Sequence, residues 1–501
     1  MKFRRLRNIL TVAVLACTSF TFQSCDSWLD VTPEAQVNDK TMFSTQQGFM
    51  DVLNGIYITA SKEKLYGKNL LFSMTDVMAQ YYKIPDDKHE FSQLSQYKYK
   101  DLAVSPKLDQ IWLEMYFCIA NCNILLENLE KVGPEFFEEP RTYYILRAEA
   151  KALRAFFHFD LLRLFAPSYK ADPDYAAIPY VTKYSNEVTP QSSVSAVIDS
   201  VLVDLNAAAE DLKENDPILD PLYKGSDDMY MWTQPMPDRN EFLSYRGFRL
   251  NYYAVNGMLA RVYAYKLDKQ KAYDHARIVI DSEVFKFTKA WEVTTSPEFR
   301  NRILRPEIIF GFNVPKMTKI FEPYSLNSSM GNKWLTIQNS RNIFQDDVDD
   351  YRSKYLMEYE ILADRPSCLK FVKPENPNDM VEGKFGIIAP MMRISEMYYY
   401  VCEYLMDTDL EAAASELQKL RDARNVKNTL HVNSAEDMQD IIVNDARREF
   451  MCEGQMFFFY KRLDRKVINE SSKYEMTDKD FVWPLPNVEL EFGERLSNLY
   501  K

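Results

Sequence analysis

Apolar residues recur at steps of three and four along most of this chain, and the strongest such stretch is 142–167. Leu146, Ala150, Leu153, Phe157, Leu161 and Leu164 mark one helix face there. Ala148, Ala152, Ala155, Phe159 and Leu162 form a second row beside it, and only Arg147, Lys151, Arg154 and His158 make a polar stripe. A helix apolar over most of its circumference has to be covered on two sides, so the pattern predicts a helix inside a stack. Pro167 ends it. Residues 107–132 carry a similar line through Trp112, Met115, Ile119, Cys122, Leu126 and Leu129, broken by Gly133-Pro134, and predict the first arm of an αα-hairpin. Further helices are expected at 45–60, 193–213 and 438–463, the last interrupted at Gly454.

The stretch 250–285 is more specific. Leu259, Ala260 and Tyr263 share one helix, and Ala272, Ala276 and Val279 share the next, after the turn Leu267-Asp268-Lys269. This large, small and aromatic pattern followed by small residues fits the tetratricopeptide (TPR) template, in which small side chains let paired helices approach closely. It recurs in Tyr400, Val401 and Tyr404, then Ala413, Leu417 and Leu420. Two matches in one register point to a repeat scaffold with pairs near 107–213, 250–285 and 393–424. Between the pairs the periodicity fails. Residues 214–249 and 286–390 are proline-punctuated excursions, and loops of that length in a folded protein are usually functional. Ile308 to Phe312 reads as a short strand. The acidic run 346–350 lacks the oxygen spacing of a calcium loop and reads as a solvated surface.

Composition narrows this. The 501 residues hold 32 Tyr and 31 Phe but only 13 Gly, which favours helices over glycine-rich phosphate loops. The net charge is −12, and more negative still without Lys2, Arg4, Arg5 and Arg7. Such a chain repels nucleic acid and is expected to resist polyanionic glycans. Those four cations precede an apolar run from Ile9 to Phe22, the anatomy of a signal peptide over residues 1–24. Ser24-Cys25 then resembles a bacterial lipobox, which implies cleavage before Cys25, its lipidation, and a tether over residues 25–40 leading into one domain over 41–501. Cys118, Cys122, Cys368, Cys402 and Cys452 are odd in number, and Cys118 and Cys122 read as small buried apolar residues.

Several segments now form an ordered set: Cys25-Asp26 with Trp28-Leu29-Asp30, FMDVLNGIY from Phe49, AEAKALRAFFHFDLLRLFAP ending at Pro167 with Ala177 to Val181 after it, Arg393 to Tyr399, ARREFMCEGQMFFFYKRL from Ala446, and Trp483-Pro484-Leu485-Pro486. The set resembles the SusD/RagB family of Bacteroidetes surface lipoproteins over nearly the whole chain. Met451-Cys452 and the run Phe457 to Tyr460 depart from the family's usual residues. The resemblance implies a mostly α fold of TPR-like helix pairs with long irregular insertions forming the ligand face. It implies a lipid-anchored protein on the cell outer membrane that captures an oligosaccharide, or in some members a peptide. It implies delivery to a SusC-like TonB-dependent transporter as partner, and no catalysis.

Sugar rings pack their apolar faces on flat aromatic surfaces, so aromatics in the irregular segments are the candidate platform: Tyr81, Tyr82, Trp232, Trp291 and Trp334. Trp112, on a helix stripe, reads as core. No glycine-rich phosphate loop and no H-E-x-x-H motif occurs, and His89, His158, His275 and His431 are scattered. The pattern therefore calls for no cofactor, no metal and no catalytic residue. The competing readings are a TPR-like scaffold that binds only proteins, and a glycan-degrading surface enzyme.

Overall fold

The computed structural model describes residues 41–84, 86–225, 229–237, 240–326, 328–338, 340–344, 347, 349–360, 365–373, 387–468 and 476–496. The signal peptide, Cys25 and the tether lie outside the described residues. By its contacts the chain separates into two units, Met1–Phe49 and Met50–Lys501. In the first, Phe43 meets Phe49 edge to face at 4.9 Å. Helix α1 (Gln46–Ala60) begins before the division, and its Leu53, Ile56 and Ala60 are buried in the second.

The long helices of the second unit are α2 (Ser105–Val132), α3 (Pro140–Phe165), α4 (Val194–Asn215), α5 (Tyr252–Tyr265), α6 (Lys269–Asp281), α7 (Ile394–Leu405), α8 (Leu410–Ala423), α9 (Ala435–Glu449) and α10 (Met456–Leu463). From α2 to α9, each packs against the next in sequence. Ser193, Asn251, Asp268, Asp409 and Ser434 cap α4, α5, α6, α8 and α9, each side chain accepting from a backbone N–H of the first turn. The expected pairing of Ala272, Ala276 and Val279 against α5, and of Ala413, Leu417 and Leu420 against α7, places all six in the core. More than a hundred residues separate α6 from α7, yet these two pack directly, with Tyr273 and Tyr404 4.6 Å apart. The TPR-like stack is therefore continuous, and residues 282–393 are looped out of it.

Helix α3 is buried from Ile145 to Phe165 on almost every side, Arg154 and His158 of its polar stripe included, while Arg147 and Lys151 are half-buried. Arg154 makes a two-pronged ion pair with Asp204 of α4 at 2.7 and 2.8 Å. His158 donates from Nδ1–H to the Arg154 carbonyl and accepts at Nε2 from the Val181 N–H, both at 2.9 Å. Burial pushes its pKa down to about 3, so the ring is neutral and structural. Glu149 holds Arg246 and Arg249, which fastens 214–249 to the stack.

The looped-out segment returns through small sheets. Strand β2 (Ile308–Asn313) pairs antiparallel with β6 (Ile388–Arg393), β4 (Met357–Glu360) with β5 (Arg365–Cys368), and β1 (Tyr82–Lys83) with β3 (Thr336–Ile337). Beneath them lies a buried ion-pair network. Arg424 reaches Glu307 at 2.8 Å, Arg393 reaches Glu453 at 2.9 Å, Arg352 reaches Glu449 at 2.7 Å, and Lys370 reaches Glu453 at 2.6 Å. Arg393 and Arg424 also contact Glu449.

This network corrects the reading of the acidic run as solvated surface. Asp350 is fully buried on Arg352, two residues on, and Asp347 pairs with Arg448, because Arg448 of the distant α9 closes over both carboxylates. Asp349 is exposed, 3.6 Å from Lys354, and residues 346 and 348 lie outside the described residues. Cys118 and Cys122 are buried as expected.

Candidate ligand-binding surface

Of the five candidate aromatics, three do not face solvent. Tyr82 is 4% exposed and its hydroxyl donates to the Phe72 carbonyl at 2.7 Å, beside Cys452 Sγ at 3.4 Å. Tyr81 is buried, donating to the Arg447 carbonyl at 2.7 Å. Trp232 is buried edge-on to Phe248 at 4.9 Å, and its indole lies so close to Gly247 that a Cβ there would come within 2.7 Å of the ring. These rings plug their segments onto the scaffold, so the expectation of a five-ring platform is corrected at Tyr81, Tyr82 and Trp232. The reason is that β1 pairing and the turns Met229–Trp232 and Arg246–Phe248 fold inward, which segments this short do not announce by periodicity.

Trp291 and Trp334 remain at the surface. Trp291 is 66% exposed on the short helix Ala290–Thr294, whose opposite side anchors through buried Val293 against Leu304 and Leu356. Phe299, just beyond, is also exposed. That helix packs on Tyr351–Tyr355, where Tyr351 and Tyr355 meet edge to face at 5.8 Å and the Arg300 guanidinium lies 5.0 Å from the Tyr355 ring centre. The helix Tyr351–Tyr355 packs in turn on β4, which presents Tyr359 to solvent. Strand β5 contacts β3 beside half-buried Trp334, whose Nε1–H donates to the Ser328 carbonyl at 3.1 Å. The Arg365 guanidinium sits 4.9 Å over its ring. Packing between elements thus leads from the helix of Trp291 through Tyr351–Tyr355, β4 and β5 to β3, next to Trp334. Phe299, Tyr355 and Tyr359 were not singled out from the sequence. The i, i+4 spacing of Tyr351 and Tyr355 was the available signal, since it places both rings on one side of a turn.

The chemistry of this surface is that of contact. Aromatic faces and cation-stacked rings accept apolar ring faces, and the adjacent arginines supply hydrogen-bond donors. Among the described residues no group of three His, Cys, Asp or Glu side chains is placed to hold a metal ion.

An α-helical repeat scaffold with a looped-out aromatic surface is the class that this geometry defines. Residues 27–221 match the SusD-like family described as "Starch-binding associating with outer membrane". SusD-like protein P38 of Formosa agariphila is 25% identical over 220 residues, covering 42% of this chain and 38% of that protein. SusD-like protein P25 of the same organism is 23% identical over 172 residues, or 33% and 32% of the two chains. The matched part thus spans about a third of each curated relative's own length. Among solved structures, a SusD superfamily protein from Bacteroides thetaiotaomicron superposes with TM-score 0.69 at 20% identity, covering 90% of this chain and 98% of that one. A SusD-like carbohydrate binding protein from Bacteroides vulgatus gives 0.69 at 17%, over 91% and 100%. Surface glycan-binding protein A from Bacteroides fluxus gives 0.66 at 18%, over 91% and 100%. Residues 27–221 thus resemble the SusD-like family, and the chain shares the fold of the SusD superfamily structures over about 90% of its length.

Proposed function

We propose that this protein is a non-catalytic glycan-binding lipoprotein of the outer membrane, anchored through Cys25, that hands an oligosaccharide to a SusC-like TonB-dependent transporter. The observation that carries the binding role is the set of aromatics at the surface of the looped-out segment, exposed Trp291, Phe299 and Tyr359 with half-buried Trp334. The match of residues 27–221 to a family described as starch-binding supports carbohydrate as the ligand. The lipobox-like Ser24-Cys25 supports the anchor, and the ordered motifs that resemble the SusD/RagB family support the transporter as partner.

Native affinity electrophoresis of the full chain through gels containing single polysaccharides tests the reading. Retardation by at least one glycan, lost in the double variant Trp291→Ala, Trp334→Ala with an unchanged melting temperature, is expected. Retardation by none, or release of reducing ends from a polysaccharide by the pure protein, would overturn it. Co-purification of a β-barrel transporter from membranes, dependent on Cys25 acylation, checks the delivery step.

A further inference from the structure

Most of the buried ion pairs among the described residues join an arginine to a carboxylate. A cluster of lysines nearer the surface is arranged differently. Lys68, Lys107 and Lys333, from three separate segments, converge on the single carboxylate of Glu90. Lys107 and Lys333 are both 3.7 Å from Glu90, and Lys68 donates to the Tyr324 hydroxyl at 3.2 Å, which in turn donates to Glu90 at 3.0 Å. Glu63, mostly exposed, approaches Lys68 only to 4.0 Å. The two 3.7 Å contacts are too long for charge-assisted hydrogen bonds, which close at about 2.7–2.9 Å. The ammonium donors of Lys107 and Lys333 therefore have room for another acceptor. Burial lowers the Lys107 pKa, Glu90 raises it again, and Lys68 and Lys333 push it down, the signature of cations crowding one another. The three lysines are partly exposed, and their floor is aromatic: Lys107 lies 5.3 Å from the Phe91 ring centre and Lys68 5.6 Å from that of Tyr324. Trp334 is the residue after Lys333.

Resting on the glycan-binding reading above, we infer that Lys68, Lys107 and Lys333 seat the anionic group of an acidic glycan, a uronate carboxylate or a sulfate ester, beside the ring surface at Trp334. A sugar bearing a negative group supplies the missing anion while its ring face uses the neighbouring aromatic. The overall charge of −12 argues against polyanions at long range, but screening limits that repulsion to about 8 Å at physiological salt, and the cluster decides the contact.

The test compares polygalacturonate, its methyl ester and chondroitin sulfate with neutral xyloglucan and starch in affinity electrophoresis of the full chain. Retardation by an acidic polymer is expected. It should weaken at least about tenfold in Lys107→Gln, Lys333→Gln and fall with added salt, since released counterions carry part of such binding. Methyl-esterified polygalacturonate should not retard the protein if the unesterified form does. The melting temperature of the double variant should not fall, because crowded cations do not hold the fold together. Lys333→Glu offers a second variant with a larger expected loss. Retardation by neutral polymers alone, or acidic binding indifferent to both variants, overturns the acidic seat and leaves the glycan-binding reading standing. Retardation by no polymer overturns both.

Discussion

Glu449 ends α9 with its carboxylate fully enclosed, in contact with Arg352, Arg393 and Arg424. Arg352 and Arg393 come from the looped-out segment, whereas Arg424 directly follows α8 of the helical stack, so Glu449 joins the two. Consider Glu449→Gln, which keeps the shape but removes the charge and one acceptor oxygen. Burial alone would raise the carboxyl pKa, but the guanidiniums of Arg424, Arg393 and Arg352 outweigh it and hold the pKa well below the usual carboxylate range. Removing one partner from a buried ion-pair set destabilises by about 3–5 kcal/mol, since the remaining charges stay buried without their complement. Unfolding entropy of about 2.1 cal/mol/K per residue, over roughly 450 residues, comes to about 1 kcal/mol/K, so the melting temperature should fall by about 3–5 °C at neutral pH. The sign with pH follows. A depressed carboxyl pKa stabilises fully above the unfolded value of about 4.3, and that contribution is lost as pH falls through the folded value. Wild type and variant should therefore converge only in strongly acid solution. Calorimetry at pH 7 and at stepwise lower pH checks the difference. Hydrogen exchange should show 351–355 opening first. A change under about 1 °C at pH 7, or a gap that is independent of pH down to the acid limit, would refute the assignment of Glu449 as the joint.

Other outcomes follow from particular contacts. Trp232→Ala should lower stability by about 3–5 kcal/mol by emptying the space against Phe248 and Gly247, while glycan retardation at a temperature where it is folded stays unchanged. Gly454 has φ +70°, and a Cβ there would stand 2.5 Å from the Leu70 carbonyl oxygen and 2.6 Å from that of Leu71. Gly454→Ala should therefore destabilise by more than the roughly 1–2 kcal/mol of the left-handed backbone alone, read from the urea midpoint. His158 is held neutral while the unfolded ring takes up a proton below about pH 6.5, so between that pH and about 3 it should remove about 1.4 kcal/mol of stability per pH unit. His158→Gln should flatten that acid slope, and an unaltered slope would assign the proton uptake elsewhere. Metabolic labelling with an alkyne fatty acid should mark the wild type and not Cys25→Ala.

Periodicity alone determined the helical architecture of this protein. Long amphipathic stretches such as 142–167, and the spaced small residues Ala272, Ala276 and Ala413, need no partner to declare a face, because a 3.6-residue repeat is a local property. The caps at Ser193 and Asn251 and the break at Gly454 are equally local. What only the tertiary structure decided is where distant residues meet. The direct packing of α6 on α7 across the looped-out segment could not be read from two similar motifs. Nor could the burial of Asp350, because the arginine two residues on and the helix α9 that enclose it have no common spacing. The same holds for the aromatics. Trp232 and Trp291 both lie in proline-flanked irregular sequence, and composition cannot separate them. One turns inward because Gly247 leaves room for its indole, and the other outward because Val293 takes the inner side of its single helical turn. In segments too short for a period, the side that faces the core is set by whatever space the rest of the chain leaves open.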